Sequence, residues 1–370
     1  MKTRTRGILL GLGVLVLLGA VAFLMRSSGG KGAGAAGDGG GTAGAVTGQS
    51  GPAARPGTRE EDRGAAAPPG ATARSGEVVA ELGWGSGPSE LGRKHAEESN
   101  PEAPMSLAVD ALGGIVVLDQ VNGRLVRLDS AGKVAGTLPV TQQVPQDVTV
   151  SRDGTLLVLD RLKDKSVALL NPDTGQLIGE LPVEGKGIPM SSAVTSTFVD
   201  GDSVYVEREH GALVRIGDLS GRADAERPEL PGRPSRDGRS FLSAAITDRV
   251  AGRVVVNAID RQSGQHRYTR EYRLEFPLMF ILLLDTDRSG LIYLGVMGEL
   301  PTGKAEPAVE PGVRLFCLDA LDGRMVGQAN LPANTLPEET FRDFAVLDEG
   351  GVIYKHVTKS GVTLQRAHCR

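Results

Sequence analysis

The chain has 370 residues, 23% of them charged, with a formal net charge of -4. That balance offers no broad basic field for neutralising phosphates, so a nucleic-acid partner is not expected. Cys317 and Cys369 are the only cysteines, too few for a disulfide-stapled scaffold or for a metal site of their own.

In chain order, the first element is an uncharged run from Gly7 to Met25, preceded by Lys2, Arg4 and Arg6 and closed by Arg26. A helix of that length, at about 1.5 Å per residue, just crosses a hydrocarbon core of roughly 30 Å. The basic flank keeps the N-terminus in the cytoplasm. Residues 1–26 are therefore expected to be a single-pass anchor in a bacterial inner membrane, with everything after them outside the cytoplasm. Ala20-Val-Ala22 has the small-x-small form of a signal-peptidase site, and cleavage there would give a secreted protein instead. Phe23-Leu-Met25 extends the apolar run beyond a usual signal peptide and favours the anchor. Residues 27–76 follow, rich in Gly, Ala and Pro and almost without large apolar side chains. Such a segment cannot bury enough surface to offset its ordering entropy and is expected to be a disordered linker.

From Glu77 onward one phrase recurs about every 40 residues: an apolar run, a tight turn with Asp and Gly, a second apolar run, and another strand-like pair. Its clearest copy is Met105 to Lys133. The tight turns are read at Asp110–Gly114, Arg152–Gly154, Asp200–Asp202, Asp248–Gly252, Asp287–Gly290 and Asp348–Gly351. Asp bonds its own backbone in such turns, and Gly accepts positive φ. The expected fold over residues 77–370 is all-β, a propeller of about six blades. Its last blade reads as three strands, Phe341–Leu347, Val352–Val357 and Val362–Ala367, and Glu77–Leu82 is expected to supply the fourth and close the ring. Closure removes exposed sheet edges.

The first blade resembles the NHL-repeat family of propellers. The resemblance rests on the Gly-rich lead-in Leu82-Gly-Trp84-Gly-Ser-Gly87-Pro88, on Val109-Asp110 and Leu118-Asp119, and on Asn122-Gly-Arg124-Leu125. Gly123 stands where the family motif has His, and later blades depart further. Membership implies a scaffold for binding.

No catalytic constellation is legible. His95, His210, His266, His356 and His368 lack metal-ligand spacing, and no Gly-x-Ser-x-Gly elbow occurs. No catalytic, cofactor or metal residue is assigned. Cys317 lies in the apolar run Val313–Leu318 and reads as a small buried hydrophobe, and Cys369 reads as near the surface; the sequence leaves their pairing open. The leading expectation is a non-enzymatic interaction module of the envelope, with a protein or an anionic glycan as partner. The alternative is a lactonase-like hydrolase with a divalent metal held by channel carboxylates; Asp110, Asp200, Asp287 and Asp348 recur but sit at turns, where Asp has a local role.

In a four-stranded blade the first-to-second and third-to-fourth turns share one face, and second-to-third loops share the other with blade-to-blade connections. The sequence places Gly83–Ala103, Glu184–Pro189, Gly221–Gly238 and the Gly295–Gly312 excursion on that second face. Arg222, Arg227, Arg233, Arg236 and Arg239 are thereby expected opposite Glu299, Glu306 and Glu310. Trp84, Arg233, Arg236 and Arg239 are the candidate partner-binding residues, since recognition usually resides on long loops of a rigid scaffold.

Overall fold

A computed structural model of the chain describes residues 74–95, 97, 100–301 and 309–369. The expected anchor and nearly all of the expected linker lie outside these residues. Among the described residues no helix is long and apolar enough to cross a membrane.

The strands pair into six sheets, each a blade, with consecutive strands adjacent except where N-terminal strands join blades 5 and 6. Blades 1 and 2 span Ser106–Pro139 and Asp147–Pro182; blade 3 spans Val194–Leu230, blade 4 Arg233–Arg273 and blade 5 Leu278–Pro332. Blade 6 combines Phe344–Val346, Val352–Val357 and Gly361–Ala367 with Glu77–Trp84, which pairs antiparallel from Glu77 opposite Arg366 to Gly83 opposite Gly361. The ring is thus closed by the N-terminal strand, as its isolated apolar run implies. Arg74–Ser75 adds a short parallel pairing to Ala329–Asn330 on the outer strand of blade 5. Gly132, at φ +82° in a turn of blade 1, abuts the closing strand so tightly that a Cβ there would lie 2.2 Å from the Val79 carbonyl oxygen.

The inner and second strands read as near-continuous apolar runs because neighbouring blades cover both faces. Ile115–Asp119 and Leu156–Asp160 are buried throughout. The core is a series of layers between blades: buried clusters join blades 1 and 2, 2 and 3, 4 and 5, 5 and 6, and 6 and 1. Among the described residues no such cluster joins blades 3 and 4. There the contacts are made by arginines: Arg233 pairs with Glu207 and stacks over Phe198, and Arg261 pairs with Asp200 and stacks over Phe241.

Blade 4 corrects the turn assignment. Ser235 N–H bonds the Ser240 carbonyl and Gly238 N–H bonds the Ser235 carbonyl, the same pattern as Ser151 to Thr155 in blade 2. The first-to-second turn is therefore Ser235–Arg239, and Asp248–Gly252 is the second-to-third loop. A sequence Asp-x-x-x-Gly serves either end of a strand, which is why the two were exchanged. The Gly295–Gly312 excursion is also largely strand: Ile292–Pro301 and Val309–Leu318 form a long hairpin.

Cys317 and Cys369 form a disulfide across 52 residues, with Cα atoms 5.9 Å apart. The reading of Cys317 as a simple buried hydrophobe captured its burial at 1% exposure but not its bond. The bond ties the segment after the last strand of blade 6 to blade 5.

Candidate functional site

The two ends of the ring differ in kind. On the turn face, Asp110 accepts the N–H groups of Leu112 and Gly114, and Asp287 those of Ser289 and Leu291, the local role expected of Asp in turns. Asp200 and Asp348 instead bridge blades, through Arg261 and through Arg236 and Arg288.

Around the axis the carboxylates are matched with basic side chains. Asp147, fully buried on the inner strand of blade 2, accepts hydrogen bonds from Ser106 Oγ (2.6 Å), Thr197 N–H (2.7 Å) and Arg342 Nη2 (2.6 Å), joining blades 1, 2 and 3 to the segment entering blade 6. Arg233 lies 3.1 Å from Glu207, whose other oxygen accepts the hydroxyls of Thr195 and Ser196. Burial alone would raise the Glu207 pKa, but the Arg233 charge, supported by His210 and the Thr195 hydroxyl, holds it below the usual glutamate value. Arg236 reaches Asp285 and Asp348 at 2.9 Å each and the Val346 carbonyl at 3.0 Å. Lys355, fully buried, donates to the Pro104 carbonyl and to Thr340 Oγ1 and sits 3.2 Å from Asp343. Its burial lowers its pKa against the opposing pull of Asp343. Among the described residues no three His, Cys, Asp or Glu side chains group in a way that could hold a metal ion. A cation at these carboxylates would have to displace an arginine or lysine already in place.

The candidate residues are dispersed. Arg233 belongs to the inner strand of blade 4, and Arg236 and Arg239 to its first-to-second turn, so the two latter lie on the turn face rather than on the loop face. Arg222 is likewise in a turn beside Asp218, and Arg227 is buried, donating to the carbonyls of Pro182 and Val183. The cause is two strands too short to leave an apolar run, Glu229–Leu230 and Arg233–Pro234. Of the three candidate arginines only Arg239 keeps an exposed side chain, at 68%, near Asp237. Trp84, partly buried, donates from Nε1 to the Lys359 carbonyl at 3.1 Å and lies under the Arg93 guanidinium. His95 stands 3.4 Å from Glu338, which also accepts from Arg93 Nε.

The Asn122-Gly-Arg124 motif has a structural task. Asp119, fully buried, accepts from Gly92 N–H, Asn122 Nδ2 and Arg124 Nε, while the Arg124 guanidinium bonds the carbonyls of Ser86, Gly87 and Glu90. This knot pins the Gly-rich lead-in to blade 1. Gly123 has φ +63° and open space at its Cβ position, so the backbone conformation sets its identity. Asp160 repeats part of the scheme in blade 2, accepting from Val144, Leu162 and Lys163 N–H groups.

What the sequence reading missed is the apolar character of the loop face. Val144, Leu162, Met190, Val250, Phe280 and Val309 are exposed large hydrophobics on or beside the second-to-third loops and blade connections, Val250 at 85% and Phe280 at 53%. The opposite, turn face has Leu112 and Leu321, and Val78, Leu177 and Ile178 are exposed where outer strands leave it. Val144, Leu162, Met190 and Val250 are lone apolar residues in loops, and Phe280 and Val309 stand near the starts of strands, a signal that composition does not register.

No protein-family model and no curated protein matches the chain. Solved structures with similar backbone include hydrazine synthase of Kuenenia stuttgartiensis, at 19% identity and TM-score 0.44, covering 70% of this chain and 76% of that one. Hsv2 of Kluyveromyces lactis has 8% identity and TM-score 0.41, covering 74% and 100%. A streptogramin B lyase has 11% identity and TM-score 0.39, covering 74% and 97%. At these scores the likeness carries no functional argument, and the six-bladed architecture rests on the strand pairing itself.

Proposed function

We propose that this chain is a non-enzymatic, NHL-like propeller, tethered outside the cytoplasm of a bacterial cell, that docks a protein partner on its loop face. The observation that carries the reading is the contrast between axis and rim. The charged groups at the axis are engaged with one another, whereas the loop face sets exposed apolar side chains among mixed charges. Long loops on a rigid scaffold usually carry recognition, and on this face Val250 is exposed beside Arg249, whose guanidinium lies over the exposed Phe280 ring. The Cys317–Cys369 bond supports an oxidising compartment, in line with the positively flanked apolar N-terminal segment. The Asp119–Asn122–Arg124 knot supports the NHL-like assignment of blade 1.

The test is site-specific photo-crosslinking in intact cells, with the probe at Val250 or Met190 on the loop face and at Leu112 or Leu321 on the turn face. A discrete protein adduct is expected from the first pair only. Adducts from the turn face alone, or none from either, would remove the loop face as the docking surface.

A further inference from the structure

The mode of docking is visible in blade 4 and rests on the loop-face reading above. Its inner strand has 2 residues, Arg233–Pro234, against 9 in its second strand, Ser240–Asp248. No other blade is so mismatched: the corresponding lengths are 4 and 5 in blades 1 and 2, 7 and 6 in blade 3, 9 and 10 in blade 5, and 3 and 6 in blade 6. Arg233 stands opposite Leu242 and Pro234 opposite Phe241, and among the described residues no strand is hydrogen-bonded to this edge beyond that point, while Ile281 and Leu284 of blade 5 pack on its face with Ala244 and Ile246. Ser240 accepts from Ser235 N–H on this side. Backbone groups alternate sides along a strand, so after Ser240 and Leu242 it is Ala244 and Ile246 that turn their N–H and C=O to the uncovered edge.

Folded proteins ordinarily protect such an edge with charge, proline or a bulge. Here Ser243-Ala-Ala-Ile-Thr247 has neither charge nor proline, and its irregularity of register comes only between Ile246 and Asp248. Ser243, Ala245 and Thr247 are exposed, and this side of blade 4 faces blade 3, where no buried cluster joins the blades among the described residues. At the loop-face end stand the exposed Val250 and Phe280.

We propose that this edge receives an extended segment of a partner protein, which adds as the missing part of the inner strand. A row of unpaired amides and carbonyls is completed by another backbone. The uncharged run selects an uncharged segment of about five residues, with apolar side chains for Val250 and Phe280. Arg233 at the head of the edge is already paired with Glu207, and Arg249 at its other end lies over the Phe280 ring.

The experiment pans a phage-displayed library of linear dodecapeptides against the full chain and then measures the enriched peptides on variants. Ala244→Pro removes an N–H that takes no part in the ladder to the third strand, so it is tolerated by the fold as an edge proline is. Ala244→Val keeps the N–H and is the control. Enriched peptides are expected to read as alternating apolar strands. They should slow hydrogen exchange at the Ala244 and Ile246 amides of the wild-type chain, bind Ala244→Val, and lose at least tenfold in affinity on Ala244→Pro. The exchange measurement needs no variant and decides the matter if Ala244→Pro misfolds. Peptides that leave both amides unprotected and bind Ala244→Pro as tightly as wild type overturn strand addition, as does a library from which nothing enriches. If those peptides still depend on Val250→Asp or Phe280→Ser, the loop face stands and only the mode falls; if they depend on neither, both fall.

Discussion

Arg233 shows how a side chain that reads as surface charge becomes structural. It is one of five arginines in a Pro-rich stretch, yet it lies between Glu207 and the Phe198 ring with its side chain 18% exposed. Truncating it to Met leaves Glu207 buried without its partner, and breaking such a pair costs about 3 kcal/mol or more near neutral pH. The sign of the pH dependence follows from Glu207. Its folded pKa is depressed, so its stabilising contribution is present above the ordinary glutamate value and is lost as pH falls through the folded one. In Arg233→Met the lone carboxylate takes up a proton more readily and sheds its burial cost. Chemical denaturation is therefore expected to show a large deficit for Arg233→Met at pH 7 that shrinks below about pH 4. A deficit independent of pH would show that Glu207 is not the cause. None of this was legible in the sequence, because ion pairing across blades depends on contacts between residues far apart in the chain. The turn roles of Asp110 and Asp287 were legible, because an Asp two residues before a free N–H acts locally.

Strands and turns were readable where the repeat is regular and failed where one member is shortened. In blades 1 and 2 the apolar runs and Asp/Gly turns lie where periodicity puts them. In blade 4 the inner strand is too short to leave an apolar run, so the repeat pattern there points to the second-to-third loop as the first turn and puts Arg236 and Arg239 on the wrong face. The disulfide was beyond reach for a related reason: Cys369 follows the last strand, and only the ring brings it against blade 5. That bond closes 52 residues, and loop-closure entropy sets its stabilisation at up to about 4 kcal/mol. Cys369→Ala is expected to lower the melting temperature and to make it insensitive to reductant, while the wild type loses a comparable amount when reduced. Equal melting of reduced and oxidised wild type would mean that blade 5 and the segment after blade 6 hold together without the bond.

As a ring, the molecule depends on every interface between blades, and these are unequal. Five are apolar layers, and the sixth, between blades 3 and 4, relies on Arg233 and Arg261. The interface between blades 6 and 1 includes Leu82 of the closing strand, buried among residues of both blades. The closing strand pairs along nearly its whole length with Gly361–Ala367, so its removal exposes both a ladder edge and an apolar layer. The six-bladed ring depends on this closure. The direct measurement compares the thermal unfolding of two truncated proteins, one lacking residues 1–73 and one lacking residues 1–83. The first is expected to melt cooperatively at the temperature of the full chain, and the second to be strongly destabilised or to aggregate. Superimposable melting of the two would contradict a ring closed by the N-terminal strand.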